Sequence, residues 1–242
     1  KKVASAKDNG TIWSIAANQK ATSNSLNSVI GSLQRGQSTI DVAISAGETV
    51  TDLLTQMKEK ALAAADTTLD TTARAALNTD FTALRDQIAK VTSNADFNGA
   101  NMIKSGGNTI AALANAAGTS KITVAAQDLS LGGTVLTSSL GASASLGTAG
   151  ASATMVTTVT TALSNVGAAM AKLGTGAKAL ESHMTFIGKL QDALDVGVGN
   201  LVDADLAKES ARLQALQTKQ QLGIQALSIA NQSSSALLGL FR

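Results

Sequence analysis

The residues that could support catalysis are few and widely separated in this chain. His183 is the only histidine among 242 residues, and there is no cysteine. A Ser-His-Asp arrangement therefore has one possible centre, and a zinc site built from several histidines or thiolates is excluded by count. Asp203 and Asp205 could be a carboxylate pair for acid–base work or calcium, but residues two apart on a helix point about 200° apart. Helix capping and favourable interaction with a helix N-terminus explain these two aspartates better.

Other ligand classes leave no signal in the sequence. Gly197-Val198-Gly199 lacks the spacing and the strand context of a nucleotide-binding loop. The net charge of +2 is small, and no basic run is interleaved with aromatic residues, so we expect no nucleic-acid partner. No apolar run reaches the eighteen or so residues that span a membrane, and no signal peptide is visible. We therefore expect no catalytic site, no cofactor and no metal.

The composition favours layers of helix packed on helix. Hydrophobic residues make up 44% of the chain, yet there are only one Trp, four Phe and no Tyr. Ala, Leu, Ile and Val must then form the core, which suits thin helical layers. The absence of proline removes the strongest helix breaker. We expect Trp13 to be a packing anchor rather than a ligand platform.

A heptad pattern organises the first half of the chain. From about Ala16 to Ala65, apolar or small residues recur every seven positions, with a second set three positions on, which predicts coiled-coil-like packing over about 75 Å. Asp66 to Asp70 then predicts a turn, and residues 71–93 a helix that folds back antiparallel. The repeating positions are Leu26, Leu33, Ile40, Gly47, Leu54 and Ala61, with Val29, Ala43, Val50 and Met57.

The middle of the chain changes character. Glycine pairs punctuate β-prone runs at 121–124 and 129–131, which predicts one or two hairpins in a small head between the outgoing and returning helices. Residues 134–161 are rich in Ser, Thr, Ala and Gly and predict an exposed, weakly specified segment. Helical periodicity returns near Ala153, and Gly174 and Gly176 predict a break in it.

The last forty-two residues, 201–242, predict a long helix that needs a partner. Apolar positions step by threes and fours and would keep one face apolar over about 45 Å. Periodicity alone favours an ordinary amphipathic core helix for this stretch; left uncovered, the face would expose a long apolar stripe to water. The positions that we predict to mediate assembly are Leu213, Leu216, Leu227, Ala230, Leu237 and Phe241.

Three segments, in order, resemble bacterial flagellins. Ser5-Ala6-Lys7-Asp8 is similar to the flagellin Ser-Ala-Lys-Asp-Asp segment, with Asn9 in place of the second Asp, and Phe97-Asn98-Gly99 resembles the motif that opens a small β region. The third match is most similar in sequence to the flagellins of α-proteobacteria. One difference is that many flagellins have a Pro near the position of Ser234. The third match consists of Asp203-Ala204-Asp205, Glu209, Leu213, Gln217, Gln220-Gln221, Gly223, Leu227, Ala230-Asn231-Gln232 and Leu237.

The resemblance implies a mainly α fold, a long antiparallel helical rod with a small β-hairpin region in the middle of the chain. It also implies that a helix of roughly three dozen residues, which pairs with the C-terminal helix, belongs before Lys1 and is absent here. The expected divisions are a connecting segment at 1–18, the rod core at 19–98 and 153–200, a variable β/loop region at 99–152 and a terminal assembly helix at 201–242.

The implied function is that of a filament subunit. Flagellins are exported without a cleaved signal peptide and polymerise into a helical propeller, so the implied partners are other subunits, an export chaperone and a cap protein. The resemblance also suggests O-linked sugars on residues 134–161. An alternative is a cell-surface protein that binds an anionic polysaccharide through Lys172, Lys178 and Lys189, although these lysines are more typical of a solvated helix face.

Overall fold

The described residues form four α-helices and one β-hairpin. The computed structural model describes residues 1–203 and 206–240, and for Leu206 and residues 230–240 it describes the backbone alone. The elements are α1 (Gly10–Ala64), α2 (Thr71–Asn94), β1 (Ile110–Leu113), β2 (Lys121–Val124), a 3-10 turn (Ser138–Leu140), α3 (Ala149–Val202) and α4 (Leu206–Leu240). The predicted fold class, long helices with a small β-hairpin in mid-chain, is confirmed.

The predicted heptad forms the core of α1. The repeating positions form two rows, a first from Leu26 to Ala61 and a second from Val29 to Met57. Every predicted position of both rows is buried, and Leu33, Ile40 and Leu54 have no exposed surface at all. Gly36 and Ala64 extend the second row at the same spacing. The helix begins at Gly10, before the heptad pattern starts near Ala16. Asn9 Oδ1 caps it by accepting a hydrogen bond from the Ile12 backbone N–H at 3.1 Å, in agreement with the expectation that Asp8 or Asn9 could be the N-cap.

α1 and α3 run antiparallel along this seam. Gln191 of α3 donates to the Ser23 carbonyl, Leu180 lies over Gly36, and Met170 lies over Gly47. Residue numbers therefore increase along α1 in the direction in which they decrease along α3. The predicted break at Gly174 and Gly176 is wrong, since α3 continues through both glycines. Gly176 packs against β2, where a Cβ would lie 2.5 Å from Val124 Cγ1, so this glycine permits close approach rather than a bend.

The turn between α1 and α2 is built from charged side chains. Arg74 donates through Nε to the Ala64 carbonyl at 2.9 Å and through Nη2 to the Asp66 carbonyl at 2.8 Å, which satisfies carbonyls left free at the end of α1. Asp70 caps α2 by accepting from the Ala73 N–H at 2.6 Å. Hydrogen bonds from the Thr68 backbone N–H and hydroxyl to Asp66 lower the pKa of that carboxyl. The predicted turn and the antiparallel return are both confirmed.

The Phe97-Asn98-Gly99 motif forms a tight turn after α2. Asn98 and Gly99 both have positive φ, +52° and +80°, and Phe97 and Ala100 exchange two backbone hydrogen bonds of 3.0 Å. Asn-Gly is the preferred pair for such a two-residue turn. Asn101 follows fully buried: its Nδ2 donates to the Thr92 carbonyl at 2.9 Å, and its Oδ1 accepts from the backbone N–H of the second residue on, Ile103.

The hairpin packs against the sides of α1 and α3. β1 and β2 pair antiparallel, with Ile110 opposite Val124. The Leu113 N–H donates to Ser32 Oγ at 3.1 Å, and His183 Nε2 lies 2.8 Å from the Ala114 carbonyl oxygen. The predicted mid-chain hairpin is therefore confirmed, and it packs against α1 and α3. The predicted strand at 129–131 is absent, because Leu129 instead donates its backbone N–H to the Ile103 carbonyl.

Residues 134–148 are ordered against the helices, which corrects the prediction of a weakly specified segment. Leu136, Leu140 and Leu146 are buried. Arg85 Nη1 of α2 donates to the Ala144 carbonyl at 2.8 Å, and Asn78 Oδ1 accepts from the Leu146 N–H at 2.6 Å. Residues 149–161 belong to α3, where the hydroxyl side chains of Thr154, Thr157, Thr160 and Thr161 are exposed. The glycosylation suggested for this stretch stays a prediction.

The chain divides into two compact units. Residues 21–193 form the larger one, which contains α2, the hairpin and most of α1 and α3. The smaller unit contains residues 1–20 and 194–242. Its apolar cluster consists of Val3, Ala16 and Val202, with Ile12, Val198 and Leu201 against them.

Candidate assembly surface

The segment before α1 is held in place by polar contacts within the smaller unit. The Lys2 and Val3 backbone N–H groups donate to the Val202 carbonyl at 2.6 and 3.2 Å, which satisfies a carbonyl at the end of α3. Asp8 closes the preceding turn, accepting from the Ser5 and Ala4 N–H groups, and these hydrogen bonds lower the pKa of its carboxyl. Lys20 and Asp195 form an ion pair at 3.2 Å. The end of α3 is thus fixed, and α4 follows it.

α4 has an apolar surface that no described residue covers. Every side chain from 207 to 229 is exposed, although these positions include six leucines and isoleucines. Of the predicted assembly residues, Leu213 and Leu216 are each 58% exposed and Leu227 is 65% exposed. The side chains of Ala230 and Leu237, and the whole of Phe241, lie outside the described residues, so their part in assembly stays a prediction.

The apolar surface covers two sides of α4, not one. Leu222 and Ile229 are exposed as well, at 59% and 67%. At about 100° per residue, Leu222 lies about half a turn around the helix from Leu213, and Ile229, seven residues on, lies close to Leu222. The expectation of a single apolar face is therefore incomplete. The seven-residue spacing from Leu222 to Ile229 is the signal in the sequence that would have revealed the second side.

Further apolar side chains of the smaller unit are exposed at the start of α1 and near the end of α3. Ile12 packs on the apolar cluster, whereas its neighbour Trp13 is 43% exposed and Ile15 is exposed too. Helical geometry turns position 13 about 100° away from position 12, so Trp13 is not part of this cluster, and its role as a packing anchor stays a prediction. Val196 is exposed on α3 in the same unit.

The residues singled out for chemistry are not brought together. Gly197-Val198-Gly199 lies inside α3, so it is no phosphate-binding loop. His183 contacts the Ala114 carbonyl, and its ring centroid lies 5.7 Å from that of Phe186. Asp205 lies outside the described residues. Within residues 1–203 and 206–240 there is no cluster of three or more His, Asp or Glu side chains suited to a metal ion. No described helix is long and apolar enough to cross a membrane.

Comparison with protein families places both ends of the chain in one group. Residues 1–109 match the model of the bacterial flagellin N-terminal helical region, and residues 156–241 match that of the C-terminal helical region.

Similar proteins agree with these matches. Flagellin FljM of Caulobacter vibrioides is 60% identical over 242 residues, which are 100% of this chain and 87% of that protein. A flagellin of Brucella melitensis is 35% identical over 250 residues, 100% of this chain and 87% of that protein. Among solved structures, a putative flagellar hook-associated protein from Vibrio parahaemolyticus shares the fold, with a TM-score of 0.65 at 15% identity over 81% of this chain and 100% of that one.

Proposed function

The chain belongs to the bacterial flagellins of the α-proteobacterial type, and from that membership we propose that α4 supplies the contacts through which it assembles. A flagellin is a structural protein and not an enzyme. It is exported and forms, with other flagellin subunits, the extracellular helical filament that serves in motility. The residues that we assign to assembly are Leu213, Leu216, Leu227, Ala230, Leu237 and Phe241.

The exposure of α4 is the observation that supports this assignment. A helix in water is stabilised mainly by burying an apolar face, and α4 buries none of its side chains between 207 and 229. Burial of each leucine or isoleucine would contribute about 1.5–3 kcal/mol once a partner covered it. Because α4 has two apolar sides, we expect it to lie between two neighbouring subunits in the filament, since a single partner would leave one side in water.

The contribution of α4 is tested by placing a charge on it. Leu227→Asp, in the protein expressed from its own gene, is expected to abolish filament formation because a buried carboxylate would have no partner there. Gln221→Asp is the matched control: it adds the same charge about 120° around the helix from Leu227. Electron microscopy should show filaments for the control and none for Leu227→Asp.

Circular dichroism keeps the outcome interpretable. Both variants should retain the helical signal and the thermal unfolding of residues 21–193, since those residues form a compact unit of their own to which α4 does not belong. Normal filaments from Leu227→Asp would overturn the assignment of this side of α4. Loss of filaments in both variants would show that any added charge on the helix is harmful and that the apolar side has no special role.

The same exposed helix suggests what protects the subunit before assembly. We assign α4 to an export chaperone inside the cell and to the cap protein at the growing end, partners that would cover the apolar sides in turn. We also propose export without a cleaved signal peptide. The mass of the secreted subunit checks this last point, because cleavage would leave it shorter than the gene encodes.

Polysaccharide binding is the less supported alternative. Lys172, Lys178 and Lys189 are all exposed, as a solvated face requires, and Lys172 borders a cavity of about 280 Å³. An anionic saccharide would need several of these cations on one concave surface. The three do not share one side of α3, because the step from 172 to 178 turns about 240° around the helix.

A further inference from the structure

Met170 occupies an unusual place among the five methionines. Met57 and Met102 are completely buried, whereas Met155, Met170 and Met184 are half-buried. The thioether of Met170 fills the space left by the missing side chain of Gly47 on α1. A Cβ at Gly47 would collide with Met170 Sδ and would lie 3.1 Å from its Cε.

The contact between Gly47 and Met170 fixes how α1 and α3 align. The heptad row that contains Gly47 has side chains at its other five positions, which are all buried. A shift of α3 by one heptad would bring Met170 against Ile40 or Leu54, where no such space exists. The sulfur therefore fits at one register of the two helices, in the way that a knob fits one hole of a coiled coil.

We propose that Met170 is an oxidation site for peroxides and that its oxidation loosens the pairing of α1 with α3. In this step the sulfur lone pair forms an S–O bond, the O–O bond of hydrogen peroxide breaks, and water leaves. The sulfur loses two electrons to the peroxide, and the product is methionine sulfoxide. Methionine sulfoxide reductases reverse the reaction.

The surroundings of Gly47 are unsuited to a sulfoxide. The new oxygen is a strong hydrogen-bond acceptor, while the flanking seam residues Ala43 and Val50 are buried and carry no side-chain donor. The Gly47 carbonyl is itself an acceptor, taken by the Thr51 hydroxyl at 2.9 Å. Oxidised Met170 must therefore leave the seam or keep an unpaired oxygen in it, and either outcome weakens the contact.

The test is to oxidise the folded protein with hydrogen peroxide and to follow its thermal unfolding. Tandem mass spectrometry assigns the added oxygen to each methionine. The midpoint of wild-type unfolding is expected to fall by about 5 °C once Met170 is oxidised. Treatment with methionine sulfoxide reductases should restore it. Met170→Leu, which conserves apolar volume, should keep its midpoint under the same treatment, even when Met155 and Met184 are oxidised.

Matched variants separate the site from general damage. Met155→Leu and Met184→Leu should still lose stability on oxidation, because each retains Met170. Gly47→Ala should lower the midpoint without any oxidant, and adding Met170→Ala should recover part of that loss. An unchanged midpoint with Met170 oxidised would overturn the proposal. So would an equal fall in Met170→Leu, or a Met170 that stays unoxidised in folded protein whose Met155 and Met184 react.

Discussion

At the scale of single residues, a buried polar side chain can connect two segments of the chain through its hydrogen bonds. Asn101 is the clearest example, because each of its amide groups is used: Nδ2 reaches the end of α2, and Oδ1 accepts from two backbone N–H groups, those of Ile103 and Lys104. Backbone groups in the turn that leads to β1 therefore depend on one side chain. A buried polar group is tolerated when all of its hydrogen bonds are made.

Replacing Asn101 by Ala should destabilise the larger unit by about 2–4 kcal/mol, since it leaves buried donors and acceptors unpaired. Chemical denaturation followed by circular dichroism measures the change. Asn108→Ala is a useful comparison, because Asn108 is exposed and its Oδ1 accepts only the Asn101 N–H, at 3.2 Å. If Asn101→Ala lowered the free energy of unfolding no more than Asn108→Ala, the proposed role of Asn101 in connecting these segments would be contradicted.

At the scale of elements, the glycines of α3 have different roles that the sequence does not distinguish. A Cβ at Gly176 would lie 2.5 and 2.8 Å from the two Cγ atoms of Val124 on β2, whereas a Cβ at Gly174 would meet nothing within 4 Å. The two positions are two residues apart on one helix, so they share helix propensity but face different surroundings.

Alanine at each position should then have opposite effects. Gly174→Ala should stabilise the larger unit by about 0.5–1 kcal/mol, because alanine favours the helix. Gly176→Ala should destabilise it by about 1–2 kcal/mol, because overpacking against the hairpin outweighs that gain. Denaturation midpoints of the two variants check the sign. Equal stabilisation in both would show that the hairpin does not pack tightly on α3.

This difference explains which parts of the fold the sequence could predict. The rows of α1 were predictable because heptad spacing is a local property, and the position of Asn98-Gly99 because a two-residue turn has its own residue preferences. The lie of the hairpin was not, since it depends on glycines of distant segments, Gly36 and Gly176, that admit Ile110 and Val124. The order of residues 134–148 was not predictable for a similar reason. Their composition is typical of loops, but a few buried leucines and the contacts of Arg85 and Asn78 hold the segment against the helices.

The assembly surface was predictable in part. The steps of three and four identified Leu213, Leu216 and Leu227, and all three are exposed on α4. Leu222 and Ile229 were not predicted, because apolar residues on two sides of a helix weaken the contrast that defines an amphipathic pattern. Whether the predicted side mediates assembly is a property of several chains together, which neither one sequence nor one subunit contains.

At the scale of the whole molecule, the burial of apolar side chains is unevenly distributed. α1 contributes a buried row of leucine, isoleucine and valine to the larger unit, while α4 has a backbone of 35 helical residues and no buried side chain between 207 and 229. Helices of this kind open with a low free energy, because little apolar surface is exposed when they unfold. We therefore expect α4 to be the least stable of the described helices, at the place where filament contacts are proposed.

Amide hydrogen exchange should reveal this distribution. In dilute monomer, residues 207–229 should exchange quickly, while residues 26–61 of α1 are protected, because opening α1 exposes the seam with α3. In the assembled filament, residues 207–229 should gain protection approaching that of α1, since neighbours would then bury Leu213, Leu227 and the leucine and isoleucine of the second side. Residues 26–61 serve as the internal reference, because their burial does not depend on assembly. Equal protection of the two stretches in the monomer would contradict the account of α4 as an uncovered helix, and unchanged exchange of α4 in the filament would contradict its role in assembly.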